Sequence, residues 1–518
     1  MHLSDSARRF RGPAFDILCG AAYALVYTVL IFSWPALPSQ DAPLWVYEAG
    51  LLRTAAQQLA ADGCRMVGAL PPNALAQGVL AGLMTFVTAD IAARVYMSAC
   101  VSAFVAALVY LCRARDASGR SPALLAVLPL CAGYPFFHGF LNYMAALPVL
   151  AFGMGFVLRH PEGRGWRGQL ALCVVPTLAY LCHGTALGVW GVLVLVQLWV
   201  GRRWRFAVRA AVGLVPVFVL VLLYIAQRSS EGAGVTWSAG SLLATVVYRL
   251  RSPLRFFSVF QGFTPTYDDP SLSAIAPLLV SMNGLYGPGL ALACVGWAVF
   301  GRRSVDPGAR LLALSVLWLS VAFVVMPHDV AKMLNPAERL VIPLACFGAA
   351  GLSGVVSSHQ LRARSLLVAL LIAQVAYVAT FGTRAAQAAL AVAQARVRER
   401  APSVQAQDVR GASLPARTGW ASLLPRHQVL AMQGLLEAAQ TRREFAMPFE
   451  TGLFRCRSRQ GLSHDLNGLL QSEQSLILLG ERAQLDALSA LLVPTHRALK
   501  KGPGYAVLQL SAAEKSPR

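Results

Sequence analysis

Charge is what this 518-residue chain lacks: Asp, Glu, Lys and Arg together make up 13% of it, whereas 56% is hydrophobic. A mean hydropathy of +0.55 is more than the core of a soluble protein can absorb, and it points to a polytopic membrane protein. Lysine is nearly missing, with four residues in all, so arginine carries most of the formal net charge of +21. That charge sits in short clusters between apolar runs. A nucleic-acid partner would need it gathered on one soluble face, so none is expected. Cysteine and histidine spacings that would hold a metal are missing, as are phosphate-loop and dinucleotide signatures. Cys19, Cys100, Cys131, Cys173, Cys182, Cys294 and Cys346 fall inside apolar runs, where a thiol behaves as a small hydrophobe. Cys64 and Cys456 lie outside them; they could pair in an oxidising compartment or stay as two free thiols. No internal repeat is evident, which counts against the inverted-repeat transporters.

What is present is a series of apolar runs long enough to cross a bilayer, about 17 to 22 residues each. They begin near Ala14, Arg94, Pro122, Asn142, Gln169, Val189, Ala210, Gly284, Ala309, Glu338 and Ser365. The first follows Arg8, Arg9 and Arg11 and lacks a cleavage site, so it reads as an uncleaved span. Arginines then fill alternate loops: Arg113, Arg115 and Arg120; Arg159, Arg164 and Arg167; Arg202, Arg203 and Arg205; Arg302 and Arg303; Arg362 and Arg364. Placing all of them inside satisfies the positive-inside rule. Counting "NALAQGVLAGLMTFVTAD", Asn73 to Asp90, as a further span would put Arg113 to Arg120 outside, so it is expected to be an interfacial or re-entrant helix.

The expected architecture is therefore an all-α membrane domain, residues 1–383, with about eleven spans and outer loops 35–93, 228–283 and 327–337. The N-terminus is expected in the cytoplasm and the C-terminus outside it. Residues 384–518 change character: an alanine-rich helix, "TRAAQAALAVAQARVRER", a linker, then "SLILLG", "ERAQLDALSALLV" and "GYAVLQL". Strand, helix, strand predicts a small extracytoplasmic α/β domain.

The scarce acids and histidines gather at the outer boundary. In "SWPALPSQDAPLWVYEAGLLR", Ser33 to Arg53, positions 41, 45, 48 and 52 share a helical face, which aligns Asp41, Trp45, Glu48 and Leu52. Asp41 is a candidate general base there; capping the helix, with Ser39 as a rival cap, is the plainer role. His138 in "GYPFFHGFLNY" and His183 in "AYLCHGTALG" occupy outer turns, as substrate contacts or as hydrogen-bonded structural residues. Asp268 and Asp269 are turn residues before Pro270 or ligands for a divalent cation. The loop "MPHDVAKMLNPAERLVIP" holds His328, Asp329, Lys332, Glu338 and Arg339, and its cations suit a lipid phosphate at headgroup level. Arg249, Arg251 and Arg255 of the longer outer loop are the alternative set.

This layout resembles the GT-C superfamily of integral-membrane glycosyltransferases. Members carry an acid in the first outer loop after span one, horizontal helices in that loop, a polytopic core and often an outer C-terminal domain. Asp41 stands at the acidic position, Asn73 to Asp90 at the horizontal helix, and "ERLVIP" at the Arg-containing start of a late span. The resemblance implies a polyprenyl-phosphate sugar donor, a glycan or lipid acceptor, and a place in a bacterial inner membrane among its lipids. It further implies Asp41 as general base, with Glu48 in reserve, and cations that stabilise the departing phosphate. Two motifs differ: Asp41 is followed by Ala42 rather than a second acid, and Pro71–Pro72 follow Leu70 rather than histidine. A transporter or flippase of a lipid-linked saccharide, or a noncatalytic relative, are the alternatives. A transporter would carry ionisable groups near mid-membrane.

Overall fold

The computed structural model describes residues 14–35, 37, 39, 42–53, 64–66, 71–115, 123–201, 204–229, 246–247, 249, 259, 276–326, 329–330, 333–334, 336–353, 364–380, 382–383 and, in the C-terminal part, 418–422, 444–446, 449–450, 454–456, 475–481, 496–502 and 505–511. The chain forms two compact units. One comprises Met1–Trp34, Leu70–Val79 and Ile91–Ala385; the other comprises Pro35–Ala69, Leu80–Asp90 and Ala386–Arg518.

The first unit is built of helices. α1 (Ala14–Ser33) precedes a loop whose α2 (Ala42–Leu52) belongs to the second unit and whose α3 (Leu75–Leu83) falls partly in each. At nine residues α3 is about 13 Å long, well short of a bilayer core. The chain then runs through α4 (Ala89–Arg115), α5 (Ala123–Val127), a 3-10 turn (Leu128–Ala132), α6 (Tyr134–His138), α7 (Leu141–Arg159), α8 (Gly165–Cys182) and α9 (Gly184–Gly201). α10 (Trp204–Ser229), α11 (Ala276–Gly301) and α12 (Pro307–Val325) follow. A two-residue pairing of β2 (Asp329–Val330) with β3 (Met333–Leu334) leads into a second 3-10 turn (Pro336–Leu340), α13 (Val341–Ser353) and α14 (Arg364–Thr380).

Among the described residues six helices are long and apolar enough to cross a membrane: α4, α7, α9, the Trp204–Tyr224 part of α10, the Ser281–Gly301 part of α11, and α12. This is an integral membrane protein. The run that begins near Pro122 is apolar throughout yet breaks into three short helical pieces. Pro129 and Pro135 stand in the first turns of the second and third pieces, where a missing N–H costs least, and Gly133 separates them.

Neighbours in sequence pack as neighbours in space: α8 against α7, α9 and α10; α9 against α12; α11, α12 and α13 against one another. Gly153 allows one of these close approaches. A Cβ there would lie 2.8 Å from both Trp190 and Val175, so α7 can meet α8 and α9 only without a side chain. α10 instead leaves Val208, Val212, Val215, Phe218, Val219 and Leu222 exposed, an apolar stripe suited to lipid.

Polar side chains lock helix ends and one interior junction. The Arg94 guanidinium donates to the carbonyls of Ile31 and Trp34, satisfying the open end of α1. Buried Gln374 of α14 accepts from the Tyr23 hydroxyl at 2.9 Å and donates to the Pro129 and Val259 carbonyls at 2.7 and 3.2 Å.

In the second unit β1 (Cys64–Met66) joins β7 (Phe454–Cys456) and β6 (Phe449–Glu450) in a three-stranded antiparallel sheet. A five-stranded sheet has the order β5-β4-β8-β10-β9, from β5 (Glu444–Ala446), β4 (Thr418–Ser422), β8 (Ser475–Glu481), β10 (Tyr505–Ser511) and β9 (His496–Gly502). β4 runs parallel to β5 and β8, and β10 antiparallel to β8 and β9. The segments "SLILLG" and "GYAVLQL" are thus strands, paired from Ser475↔Ser511 to Glu481↔Tyr505. "TRAAQAALAVAQARVRER" and "ERAQLDALSALLV" lie outside the described residues.

Candidate functional site

The helices of the first unit sort the polar residues to two ends. α7 starts at Leu141 and finishes at Arg159; α8 returns from Gly165 to Cys182; α9 goes back from Gly184 to Gly201. One end collects the arginine loops. There Arg115 pairs with Asp306, Arg209 donates to the Glu162 carbonyl at 2.7 Å, Arg310 donates to the Val200 carbonyl at 3.0 Å, and Arg159 lies over the Tyr110 ring. The other end collects His138, Phe140, Tyr143, His183, Glu338 and Arg339.

The turn between α6 and α7 shapes this second end. Gly139 has φ +70°, the left-handed conformation that ends a helix without a Cβ penalty, and its N–H donates to the Phe136 carbonyl. Phe140 follows directly. The Arg339 guanidinium stands over its ring, 5.3 Å from the centroid, and the His138 ring is 5.7 Å away. The Tyr143 hydroxyl donates to the Arg339 carbonyl at 2.7 Å, which fixes the 3-10 turn against α7. Tyr143 also meets His183 edge to face, centroids 5.6 Å apart. Asn142 holds the approach to α3: it donates to the Asn73 carbonyl at 2.7 Å and to Gln77 at 2.9 Å, and accepts from the Ala76 N–H at 2.8 Å. Asn73 has φ +70°, a conformation asparagine tolerates better than most residues.

The two histidines differ in protonation chemistry. His138 Nδ1 faces the Tyr134 carbonyl at 3.2 Å, so that nitrogen donates, and the ring stacks on Tyr134. His183 Nδ1 accepts from the Thr185 N–H at 3.3 Å and lies 2.7 Å from the Thr185 hydroxyl, which leaves the proton on Nε2. Burial, and then the nearby Arg339 guanidinium, push His183 well below the ordinary histidine range, so it is neutral at pH 7. Its Nε2–H is therefore a hydrogen-bond donor that carries no charge.

Arg249 and Glu338 form a buried ion pair, Nη1 to Oε1 3.6 Å. Of the sequence's candidates, then, His138, His183, Arg249 and Arg339 come together in one unit, linked through Phe140, Tyr143 and Glu338. Glu48 is a fully buried residue of α2, in the other unit. Asp41, His328, Lys332, Arg251 and Arg255 lie outside the described residues, as do Asp268 and Asp269. Among the described residues no group of three or more His, Cys, Asp or Glu side chains could hold a metal ion. Phe140, Tyr143, Asn142 and Arg94 were not singled out from sequence. Asn142 and Arg94 had a local signal, a polar side chain at the start of an apolar run.

No protein-family model matches the chain, and no curated protein matches it in sequence. Solved structures do match in shape. ArnT from Cupriavidus metallidurans in the apo state superposes with a TM-score of 0.53, at 13% identity, over 97% of this chain and 99% of that one. The same ArnT bound to undecaprenyl phosphate gives 0.48 at 13% identity over the same shares. An Archaeoglobus fulgidus oligosaccharyltransferase, tethered to an acceptor peptide, gives 0.39 at 12% identity over 84% of this chain and 64% of that one. At this identity the first likeness establishes fold alone: the chain has the fold of that ArnT.

Proposed function

We propose that this chain is an integral-membrane glycosyltransferase that moves a sugar from a polyprenyl-phosphate donor to a glycan or lipid acceptor on the outer side of a bacterial inner membrane. The observation that carries this reading is the polarity of the helical unit. His138, His183, Arg249, Glu338 and Arg339 lie at the end opposite the arginine loops. The positive-inside rule puts the arginine loops in the cytoplasm and this cluster at the outer boundary, where a lipid-linked donor presents its phosphate. The expected frame is about eleven spans, a cytoplasmic N-terminus, and residues 384–518 as an outer α/β domain.

Each group has a task in the reaction. The acceptor oxygen attacks the anomeric carbon as the bond from that carbon to the phosphate oxygen breaks. Asp41 takes the acceptor proton directly or through one water, with Glu48 in reserve. Arg339, with Lys332 and His328 from the same loop, stabilises the departing prenyl phosphate. Arginine's planar fork matches two phosphate oxygens at once. Neutral His183 offers one N–H without competing for the anion's charge. Arg249, Arg251 and Arg255 are the alternative set.

The test is mass spectrometry of envelope lipids and glycans from cells with and without the gene, and from cells complemented with Asp41→Asn. Loss of one sugar residue on deletion, not restored by a normally expressed Asp41→Asn protein, is the expected result. Asp41→Asn should lower transfer by about 10²- to 10⁴-fold. Full restoration removes Asp41 from the chemistry. A complete lipid-linked saccharide stranded on the inner leaflet would mark a flippase instead.

A further inference from the structure

The register of the small sheet brings together the two cysteines that the apolar runs leave out. Cys64 opens β1 and Cys456 closes β7, and the antiparallel pairing sets them directly opposite: Cys64↔Cys456, Arg65↔Arg455, Met66↔Phe454. β7 is the middle strand, held on its other side by β6 through Phe449↔Cys456. Directly opposed residues of an antiparallel pair have Cα atoms about 4.5 or 5.5 Å apart, depending on whether they exchange hydrogen bonds. Disulfides span Cα separations of about 4.4 to 6.8 Å, and directly opposed positions fall within that range.

We propose that Cys64 and Cys456 form a disulfide that ties the first outer loop, beyond α2, to the C-terminal part of the chain. The inventory of cysteines favours the bond. The remaining cysteines, Cys19, Cys100, Cys112, Cys131, Cys173, Cys182, Cys294 and Cys346, are free thiols within helices or helical turns. The only two cysteines outside the helical runs are therefore the two that the register opposes.

The chemistry balances by thiol–disulfide exchange. The two thiols release two protons and two electrons as the S–S bond forms, and a thiol–disulfide oxidoreductase of the extracytoplasmic compartment takes them up as its own disulfide becomes a dithiol. The bond thus rests on the outer placement proposed above, because cytoplasmic thiols are kept reduced.

The full chain, expressed in a bacterial host with an oxidising periplasm, tests both points separately. Cells are acid-quenched, the protein is denatured and alkylated with and without prior reduction, and peptides bearing residues 64 and 456 are quantified by mass spectrometry. The expected result is a cross-linked Cys64–Cys456 peptide pair without reductant, with both thiols alkylated only after reduction. In C64S, Cys456 should become fully alkylated without reductant, and in C456S so should Cys64. Full alkylation of both wild-type thiols without reductant overturns the disulfide. A membrane-impermeant maleimide then separates the causes. Labelling in intact spheroplasts leaves the outer placement standing, whereas labelling only after permeabilisation overturns the placement as well.

Discussion

Two ion pairs at opposite ends of the helical unit make a natural comparison. Arg115 and Asp306 meet where α4 ends and α12 begins, with side chains 20% and 42% exposed; Arg249 and Glu338 meet beyond the far end of α12 at 0% and 8%. The first pair can dissociate into water at little cost. The second has replaced hydration with a partner, and removing either member strands a buried charge. The arginine end is thus held by contacts that tolerate change, and the other end by contacts that do not. A pre-organised binding site needs the second kind.

The largest effect expected at this contrast is on stability. Glu338→Gln leaves the Arg249 charge in place and should cost about 3 to 5 kcal/mol, seen as a large fall in the thermal midpoint of purified protein. Adding Arg249→Met to that variant should recover much of the loss; no recovery would mean that the pair is not the source of the cost. Next is Arg339→Ala, which would remove the proposed charge-assisted contact to phosphate, worth about 1.5 to 3 kcal/mol, and should weaken use of a polyprenyl-phosphate donor roughly 10- to 100-fold. Arg339→Lys keeps the charge but not the fork and should fall between parent and alanine variant. Parent-like turnover by both variants would move the proposed phosphate contact to Arg249, Arg251 or Arg255.

His183 gives a smaller, pH-dependent effect. Its folded-state pKa is lowered, so the unfolded chain binds a proton that the folded one excludes. Stability should therefore be full above about pH 6.5 and decline as pH falls below it. Melting curves from pH 7.5 to pH 5 should show a shallower decline for His183→Gln; an identical slope would shift the effect to other groups. The smallest effect is at the arginine end. Asp306→Asn keeps a side chain able to accept from the Gly308 N–H while losing the ion pair, and should cost only about 0 to 1 kcal/mol. A cost as large as that of Glu338→Gln would erase the contrast.

The helices were legible because lipid forces long apolar runs on any sequence that crosses it, and the arginine loops separated a short helix such as α3 from a crossing one. The cluster's histidines and Arg339 were legible as rare polar residues at run ends. Their partners were not. The Arg249–Glu338 pair joins loops 89 positions apart, a distance no local pattern encodes. Tyr143 and Phe140 read as ordinary apolar residues until the fold set one against the Arg339 carbonyl and the other beneath its guanidinium. The broken helix around Pro129 was masked by its uniform hydrophobicity, since composition registers apolarity and not the loss of an N–H.

Gln374 bears on how the protein is made. Its amide belongs to α14, late in the chain, and its partners are Tyr23 of α1, 351 positions earlier, and the carbonyls of Pro129 and Val259. A buried amide without partners is costly, so α14 gains most by docking after those three groups have been assembled. Synthesis runs from Tyr23 to Gln374, and the order of translation is the order in which the socket is completed before its plug arrives. A chain that stalls before α14 leaves the Pro129 and Val259 carbonyls without the Gln374 amide, a buried polar defect that marks unfinished assembly.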